Sequence, residues 1–298
     1  MDIKRAIIDL TPAPLVRIFA APYVAGKGIE SGVAKADDIW NTSKLHATLD
    51  LLGEEVFKHE DIEATVALYL RMIDQVKGRT YASISCKPTQ LGIHESEAYC
   101  LENIRKVIAH AAPHGLHVTV DMEDHTFTDV TLRLFKALRS EFDNVGTVLQ
   151  SRLFRTANDI VALHAKPCRV RICIGIYKES KSIAITDKAA MKDKLFDFVG
   201  LLLDKGHYPE IATHDEPLIR RCLEYLDKRG CPKTAYEVQM LLGVPRHDIQ
   251  THIVNDGRLM RLYVPFAEEW KYAIAYCKRR MAANPMMGAY VLRNLFRS

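Results

Sequence analysis

Charged and amide side chains interrupt or end several short apolar segments of this chain. Lys87 follows one such segment, Asp121 and Gln150 end two others, and Arg171 lies within a fourth. A polar residue in a buried strand is costly unless it is paired or binds a ligand. Lys87 indicates a site most directly, because a lysine that points inward from a strand needs an acidic partner or a ligand.

Further polar and ring-bearing residues follow or lie in the later segments. They are Gly175, Tyr177, Thr213, His214, Asp215, Gln239, Leu241 and Tyr263. For Asp215 we expect helix capping rather than function, because it directly precedes a predicted helix. We expect a capping role for Glu123 and Asp124 as well. If the segments are neighbouring strands, the remaining side chains meet on one rim, and that grouping predicts the functional site.

A cationic triplet, Lys278, Arg279 and Arg280, lies in a predicted helix after the last apolar segment. Neighbouring residues of a helix point roughly 100° apart, so both arginines can reach only a ligand that lies across the helix. Arginine is suited to bidentate binding of carboxylate or phosphate. Such triplets are usually solvated, but the position of this one on the eighth helix favours ligand binding.

The elements that must position these residues alternate along the chain. Eight short segments have strand length and most are rich in β-branched residues: 46–52, 81–86, 117–121, 145–150, 169–174, 210–213, 235–241 and 261–265. Between them, apolar residues at spacings of three and four predict amphipathic helices over 61–75, 96–111, 129–140, 187–205, 216–229 and 268–283. Asp187 and Asp215 are the predicted N-caps of two of these helices.

Eight strands that alternate with helices predict an α/β fold with a parallel sheet, closed as a (β/α)8 TIM-like barrel. The active sites of such barrels lie at the carboxyl ends of the strands. A doubly wound open sheet is the alternative, but it usually has a glycine-rich loop after the first strand, and here only Gly53 follows. We assign residues 1–45 to an N-terminal helical extension and 46–298 to the catalytic barrel.

The composition is that of a soluble protein with one large core, at 48% hydrophobic and 26% charged residues. The seven cysteines include no CxxC pair and are predicted to be reduced thiols of a cytoplasmic protein. No apolar run of about 18 residues predicts a spanning helix. The net charge of +4 comes without a Lys/Arg tract, so we expect no nucleic-acid partner. The basic, amphipathic stretch 286–297 could contact a membrane surface or pack on the barrel.

Ten segments in register resemble the flavin-dependent proline dehydrogenases, from about Phe19 to the C-terminus. This family includes monofunctional bacterial enzymes and the dehydrogenase module of bifunctional proline-utilisation proteins. The segments are 23–26, 49–54, 83–92, 118–123, 149–150, 170–179, 212–215, 236–243, 262–266 and 279–285. The resemblance implies a distorted (β/α)8 barrel and a noncovalent FAD bound without a Rossmann fingerprint.

The resemblance also implies roles for individual residues. FAD would be held by Gln150, Arg171, Gly175, Tyr177, Thr213, His214 and Arg280. Arg171 would lie near the flavin N5, where a cation stabilises negative charge on the reduced ring. The substrate site would comprise Arg279 and Arg280 at the carboxylate, Lys87 and Asp121 beneath the substrate, and Leu241 and Tyr263 as walls around its ring. No metal ligands are implied.

The activity implied by the resemblance is oxidation of L-proline to 1-pyrroline-5-carboxylate by hydride transfer to flavin N5. The amine must be neutral for its lone pair to drive the transfer. The eighth helix would close over the pocket and exclude water. A quinone would reoxidise the flavin, which implies peripheral contact with the inner face of the membrane.

The sequence departs from the family pattern at four positions. Ile174 replaces a lysine, Ile176 replaces an alanine, Arg152 replaces a tyrosine and Ala283 replaces a glutamate. We expect the missing lysine to weaken a polar contact near the flavin, and the missing glutamate to leave the pocket more positive. Tyr263 is retained, which argues against hydroxyproline as the preferred substrate.

Three other functions remain open at this point. A flavin-dependent dehydrogenase of another cyclic or N-substituted amino acid would be yellow but not bleached by proline. A metal-dependent barrel hydrolase that uses Asp121, His125, His214 and Asp215 would be colourless and inhibited by chelators. A barrel that has lost its flavin would serve as a binding module.

Overall fold

The computed structural model describes Val16, residues 21–53 and residues 55–283, the last three by their backbone alone. Its strands are β1 (His46–Leu51), β2 (Ala82–Cys86), β3 (Val118–Val120), β4 (Val145–Gln150), β5 (Arg169–Cys173), β6 (Tyr208–Ala212), β7 (Glu237–Leu241) and β8 (Leu259–Phe266). Its α-helices are α1 (Ile29–Ser43), α2 (His59–Val76), α3 (Glu97–Ala111), α4 (Thr128–Glu141), α5 (Thr156–Val161), α6 (Lys188–Asp204), α7 (Glu216–Lys228), α8 (His247–Asn255) and α9 (Trp270–Ala283).

The eight strands form one closed parallel barrel in chain order. Closure occurs where β1 pairs with β8, in a register that runs from His46 opposite Arg261 to Leu51 opposite Phe266. The predicted (β/α)8 barrel is therefore confirmed, and the doubly wound open sheet is excluded.

Three differences from the predicted elements have a physical reason. Helices α5 and α8 were not predicted, because each is short and buries few apolar side chains, so its period is hard to detect. Strand β6 begins at Tyr208, two residues earlier than predicted. The extension includes Pro209, a residue that argues against a strand when only the sequence is read.

The outer face of the barrel is apolar and packs against the helices. Side chains of a strand alternate between its two faces, and buried Leu49, Ile84, Val120, Ile172 and Val264 belong to the core. Helix α7 supplies a matching stripe of five buried residues, Leu218, Ile219, Cys222, Leu223 and Leu226. The seven cysteines are free thiols, as predicted.

The interior of the barrel is polar, whereas branched apolar residues fill most barrels of this type. From β5, Arg171 donates to Ser85 on β2 and to Asp121 beyond β3, so its side chain crosses the lumen. Thr48 and Ser83 share a hydrogen bond of 2.8 Å between β1 and β2. Buried polar groups are tolerated when they are paired, and the hydrogen bonds of Arg171 connect non-adjacent strands.

Helix α1 covers the closure between β1 and β8. A Cβ added to Gly32 of this helix would lie 2.8 Å from the ring of Phe266 on β8, so only glycine allows this approach. The division of the chain at residue 45 stays a prediction, and Phe19 and the stretch 286–297 lie outside the described residues. None of the described helices combines the length and apolar character needed to cross a membrane.

Candidate active site

Asp121, directly after β3, lies at the centre of the carboxyl end of the barrel. Its Oδ1 accepts hydrogen bonds from Arg171 Nη1 at 2.6 Å and from Ser85 Oγ at 3.2 Å. Its Oδ2 accepts from the Tyr263 hydroxyl at 2.6 Å. The carboxylate is thus held by side chains from three other strands or strand ends, as the grouping on one rim predicted.

Lys87, directly after β2, is buried and donates a hydrogen bond to Asp50 Oδ1. Its ammonium also lies 3.9 Å from Asp121 Oδ2. The acidic partner that a buried lysine requires is therefore Asp50, which is 1% exposed. Sequence reasoning missed Asp50, although an acid within an apolar strand segment was a usable signal.

Arg171 uses its whole guanidinium inside the barrel. Besides Asp121 and Ser85, it donates from Nε to Gln239 at 2.6 Å, and it lies 5.0 Å from the centre of the Tyr263 ring. Burial opposes its charge, but Asp121 and Glu210 outweigh burial and raise the pKa of Arg171. Burial, together with Asp121, raises the pKa of Tyr263 well above its usual value. Arg171 is thus a permanent cation, and Tyr263 is a neutral donor.

We call Asp50, Lys87, Asp121, Arg171 and Tyr263 the carboxyl-end cluster. All five lie in or just after β1, β2, β3, β5 and β8. Leu241 ends β7 beside them and is partly exposed, like Tyr263, at the mouth of the barrel. The structure therefore brings six of the predicted or newly found site residues to one end.

Gln150, the last residue of β4, faces the loop after β5. Its Nε2 donates to the Glu123 carbonyl at 2.9 Å, while its Oε1 is buried with no hydrogen-bond partner among the described residues. Gly175 has φ 99°, and a Cβ there would lie 2.2 Å from Gln150 Oε1. A side chain at Gly175 would therefore fill the space in front of this amide.

His214, after β6, has a second buried polar atom without a hydrogen-bond partner among the described residues. Its Nε2 accepts from the Leu241 N–H at 3.4 Å, which assigns the ring hydrogen to Nδ1. Within the described part of the chain, Nδ1 is buried without a partner. Burial, with nearby Arg280 and Arg246, lowers the pKa of His214 to about 3. The imidazole is therefore a neutral donor that lacks an acceptor.

The two arginines of α9 differ in their placement. Arg280 is partly buried, its guanidinium lies 5.2 Å from the Tyr276 ring, and its buried Nε has no partner among the described residues. Burial opposes its charge, but Tyr276, Tyr263 and Asp50 raise the pKa of Arg280. Arg279 is exposed. Arg280 is thus the arginine that the structure places beside the carboxyl-end cluster.

The remaining predicted residues lie around this rim. Thr213 is buried, and its hydroxyl accepts from the Asp215 N–H at 3.2 Å. Tyr177 lies in the loop after β5, and its carbonyl accepts a hydrogen bond from Arg152. Ala283 is the last residue of α9, and its side chain is not described.

The capping predictions hold for three of four acids, the first being Asp187, which accepts from the Ala190 N–H at 2.8 Å. Asp215 accepts from the Leu218 N–H at 3.0 Å, and Asp124 accepts from the Thr126 N–H at 2.9 Å. The prediction for Glu123 was wrong. Its carboxylate accepts from the backbone and hydroxyl of Thr89, at 3.1 and 2.6 Å, and so joins the loops after β2 and β3.

The residues of the hydrolase alternative have separate partners. His125 pairs with Glu179 at 2.6 Å, and Lys192 donates to Asp215. Asp121 binds Arg171 and Tyr263, and His214 contacts the Leu241 N–H. Among the described residues, no three His, Cys, Asp or Glu side chains are grouped so that they could hold a metal ion.

The sequence model of the proline dehydrogenase family matches residues 34–288 of this chain. Proline dehydrogenase 1 of Bacillus subtilis subsp. natto is 32% identical over 282 residues, which cover 94% of this chain and 92% of that protein. Proline dehydrogenase of Deinococcus radiodurans is 34% identical over 308 residues, with 99% of this chain and 98% of that protein covered.

Solved structures of proline utilization A share the fold. The Bdellovibrio bacteriovorus protein, inactivated by N-propargylglycine, has a TM-score of 0.80 and 22% identity over 88% of this chain and 32% of that chain. The Corynebacterium freiburgense protein has a TM-score of 0.76 and 19% identity over 98% of this chain and 33% of that chain. This chain therefore spans about a third of the length of these structures. With the family match and the two relatives, these findings show that the chain belongs to the proline dehydrogenase family, whose members are oxidoreductases that act on the CH–NH group of proline.

Proposed function

We propose that this protein oxidises L-proline to 1-pyrroline-5-carboxylate with FAD as the hydride acceptor. The observation that carries the proposal is the charge at the carboxyl end of the barrel. Lys87, Arg171 and Arg280 supply three cations there, against the carboxylates of Asp50 and Asp121. The carboxylate of a bound amino acid would supply the third negative charge.

The substrate would lie between this cluster and α9. Arg280 would pair with the substrate carboxylate, because its Nε lacks an acceptor within the described residues. Asp50 and Asp121 keep Lys87 in place beneath the substrate. Leu241 and Tyr263 would contact the apolar ring, and Arg279 on the exposed side of α9 is the other cation that the family resemblance assigns to the carboxylate.

The residues present fit FAD. Among the described residues of this rim, Gln150 Oε1 is a buried acceptor and His214 Nδ1 is a buried donor, each without a hydrogen-bond partner, and Gly175 leaves open space beside Gln150. Bound FAD would supply an acceptor for a hydride. We assign its binding to Gln150, Arg171, Gly175, Tyr177, Thr213, His214 and Arg280.

The protein side chains would also control protons and water. Tyr263 stays protonated, because burial and Asp121 raise its pKa, so it orients the Asp121 carboxylate. Asp121 already accepts three hydrogen bonds. Its function is therefore to hold Arg171 and Tyr263 in position. Helix α9, which carries Arg280, would limit the access of water to the pocket.

A quinone is the electron acceptor that the family resemblance supports. We propose a flavoprotein of the cytoplasm that contacts the inner face of the membrane peripherally. The stretch 286–297 is the candidate contact, and its basic, amphipathic sequence is the support for this role.

The test is the visible spectrum of the purified protein after incubation with FAD, followed by anaerobic titration with L-proline. We expect a yellow protein that L-proline bleaches and D-proline does not. Lys87→Met should abolish bleaching at equal proline concentration, whereas Lys106→Met, a change at an exposed lysine of α3, should not. A colourless protein would overturn the proposal. Bleaching by another cyclic or N-substituted amino acid, but not by L-proline, would establish the alternative substrate class.

A further inference from the structure

Arg152, two residues beyond β4, is a partly buried cation that has no carboxylate partner in the part of the chain that the structure describes. Its Nη1 donates to the Tyr177 carbonyl. No Asp or Glu of the described chain lies within ion-pair distance of its guanidinium, and its Nε is buried without an acceptor there. A cation without an ion pair and a buried N–H without an acceptor indicate that this site binds a ligand that carries negative charge or an acceptor oxygen.

The residues around Arg152 limit which ligands could bind there. A Cβ added to Gly175 would lie 2.9 Å from Arg152 Cδ and 2.2 Å from Gln150 Oε1, so both side chains flank one glycine. Gln150 is 2% exposed, and its Oε1 lacks a donor among the described residues. Beside Gly175 the neighbouring Ile174 carries no charge. The site thus offers one unused acceptor, one unused donor and a full positive charge.

A phosphate group fits this pair of atoms poorly. Its oxygens are acceptors at neutral pH, so they would satisfy Arg152 but would leave Gln150 Oε1 facing another acceptor. A planar ring edge with an N–H beside a carbonyl satisfies both atoms at once. The flavin ring has such an imide edge.

We propose that Arg152 and Gln150 bind the imide edge of the flavin, and that Arg152 stabilises the negative charge the ring gains on reduction. Gln150 Oε1 accepts from the ring N–H, and Arg152 donates to the adjacent carbonyl oxygen. This inference rests on the proposed function, since it requires that FAD be bound. A fixed cation in a site of low dielectric favours the more negative form of a ligand. Arg152 therefore raises the affinity for reduced flavin more than that for oxidised flavin.

The test compares Arg152→Met with Arg155→Met. Arg155 lies three residues further on and already pairs with Asp159 at 2.8 Å and Asp129 at 2.6 Å, so it is the matched control. Dissociation constants for oxidised and reduced FAD and the midpoint potential are measured for each protein. For Arg152→Met we expect about a tenfold greater loss of affinity for reduced than for oxidised FAD, which lowers a two-electron potential by about 30 mV. Arg155→Met should keep the original potential.

Two further variants separate binding from a structural role. Arg152→Lys should recover most of the shift, because it restores the charge, and Arg152→Gln should show the full shift while it keeps a donor for Tyr177. If Arg152 only ties down the Tyr177 loop, its variants will lose both forms of FAD equally and melt at lower temperature without a change in potential. That outcome overturns the inference and leaves the proposed function intact. An unaltered protein that binds no FAD overturns both.

Discussion

The two ends of the barrel contain buried ion clusters of similar composition but different balance. At the amino end, Arg169 and Arg261 pair with Glu237, each at 2.6 Å, and Arg169 also pairs with Glu210 at 2.6 Å. We call these four residues the amino-end cluster. Two cations face two carboxylates, so this end needs no ligand for neutrality.

The carboxyl end has the same residue types but an excess of positive charge, since Arg280 adds a third cation to Lys87 and Arg171. Gln239 links the two clusters, since it accepts from Arg171 at 2.6 Å and donates to Glu237 at 2.6 Å. Charge balance, rather than the mere presence of buried ions, therefore distinguishes the structural end of this barrel from the functional one.

We expect the largest effect from a variant that removes one negative charge from the amino-end cluster. Glu237→Gln leaves Arg169 and Arg261 with one carboxylate fewer. In the unaltered protein, the charges of Arg261 and Arg169 outweigh the effect of burial and lower the pKa of Glu237, so its carboxylate is charged. Breaking a buried pair costs about 3–5 kcal/mol, and we expect that loss in the free energy of unfolding, measured by urea denaturation.

The matched control is Glu224→Gln, which removes an exposed carboxylate that pairs with Lys228 on α7. Exposed pairs contribute about 0–1 kcal/mol. Equal unfolding curves for the two variants would contradict the structural role of the amino-end cluster.

At the carboxyl end, Arg280→Met removes the excess cation, and there we expect a loss of activity rather than of stability. Truncating one partner of a buried charge pair costs about 2–5 kcal/mol, so kcat/KM for proline should fall about 30-fold or more, mainly through KM. Arg279→Met is the comparison, because Arg279 is exposed. If Arg279→Met lost as much activity as Arg280→Met, both arginines would bind the carboxylate. That result would contradict the inference, drawn from their different exposure, that Arg280 alone does so.

A smaller effect, on the pH dependence of stability, sharpens the same comparison. His46 faces Arg261 on β8, Glu237 on β7, Arg169 on β5 and the Trp40 ring on α1. Burial, with the two arginines, lowers the pKa of His46 to about 4 from its ordinary value of 6.5. Between these values, acidification protonates His46 in the unfolded chain but not in the native protein, so stability falls as the pH falls.

The slope for one such group is at most about 1.4 kcal/mol per pH unit. The free energy of unfolding, measured by denaturation between pH 6.5 and 4, should therefore change less with pH for His46→Gln than for the unaltered protein. His252→Gln, at an exposed position of α8, should leave the slope unchanged. Parallel pH curves for all three proteins would show that His46 does not titrate differently in the native state.

The barrel was predictable because its signals are local. Eight apolar segments of strand length alternate with six predicted helices of period 3.6, and a closed barrel is the common fold for eight such strands. The carboxyl-end positions of Lys87, Asp121 and Tyr263 follow from the same pattern, because parallel strands all end on one rim. Arg171 was found because it interrupts a strand.

The partners of these residues were not predictable in the same way. Asp50 pairs with Lys87 from the neighbouring strand β1, and an acid within an apolar segment was a usable signal for it. Ser85 and Gln239, in contrast, meet Arg171 across the lumen, and such contacts depend on strand stagger, which the sequence does not state. The amino-end cluster was missed for the same reason. The difference between Arg279 and Arg280 depends on the rotation of α9 about its axis, which one triplet of cations leaves undetermined.

The seam between β1 and β8 has a consequence for how the chain folds. Strand β1 ends at Leu51, and β8 begins at Leu259, so their six paired positions join parts of the chain that are far apart in sequence. Such non-local pairings form slowly, because the entropy of a long loop is lost before any contact is gained. Tyr263 lies on the late side of that seam, and Asp50 and Asp121 lie on the early side. The binding pocket is therefore among the last parts of the molecule to assemble, and ligand binding during refolding would report the moment of ring closure.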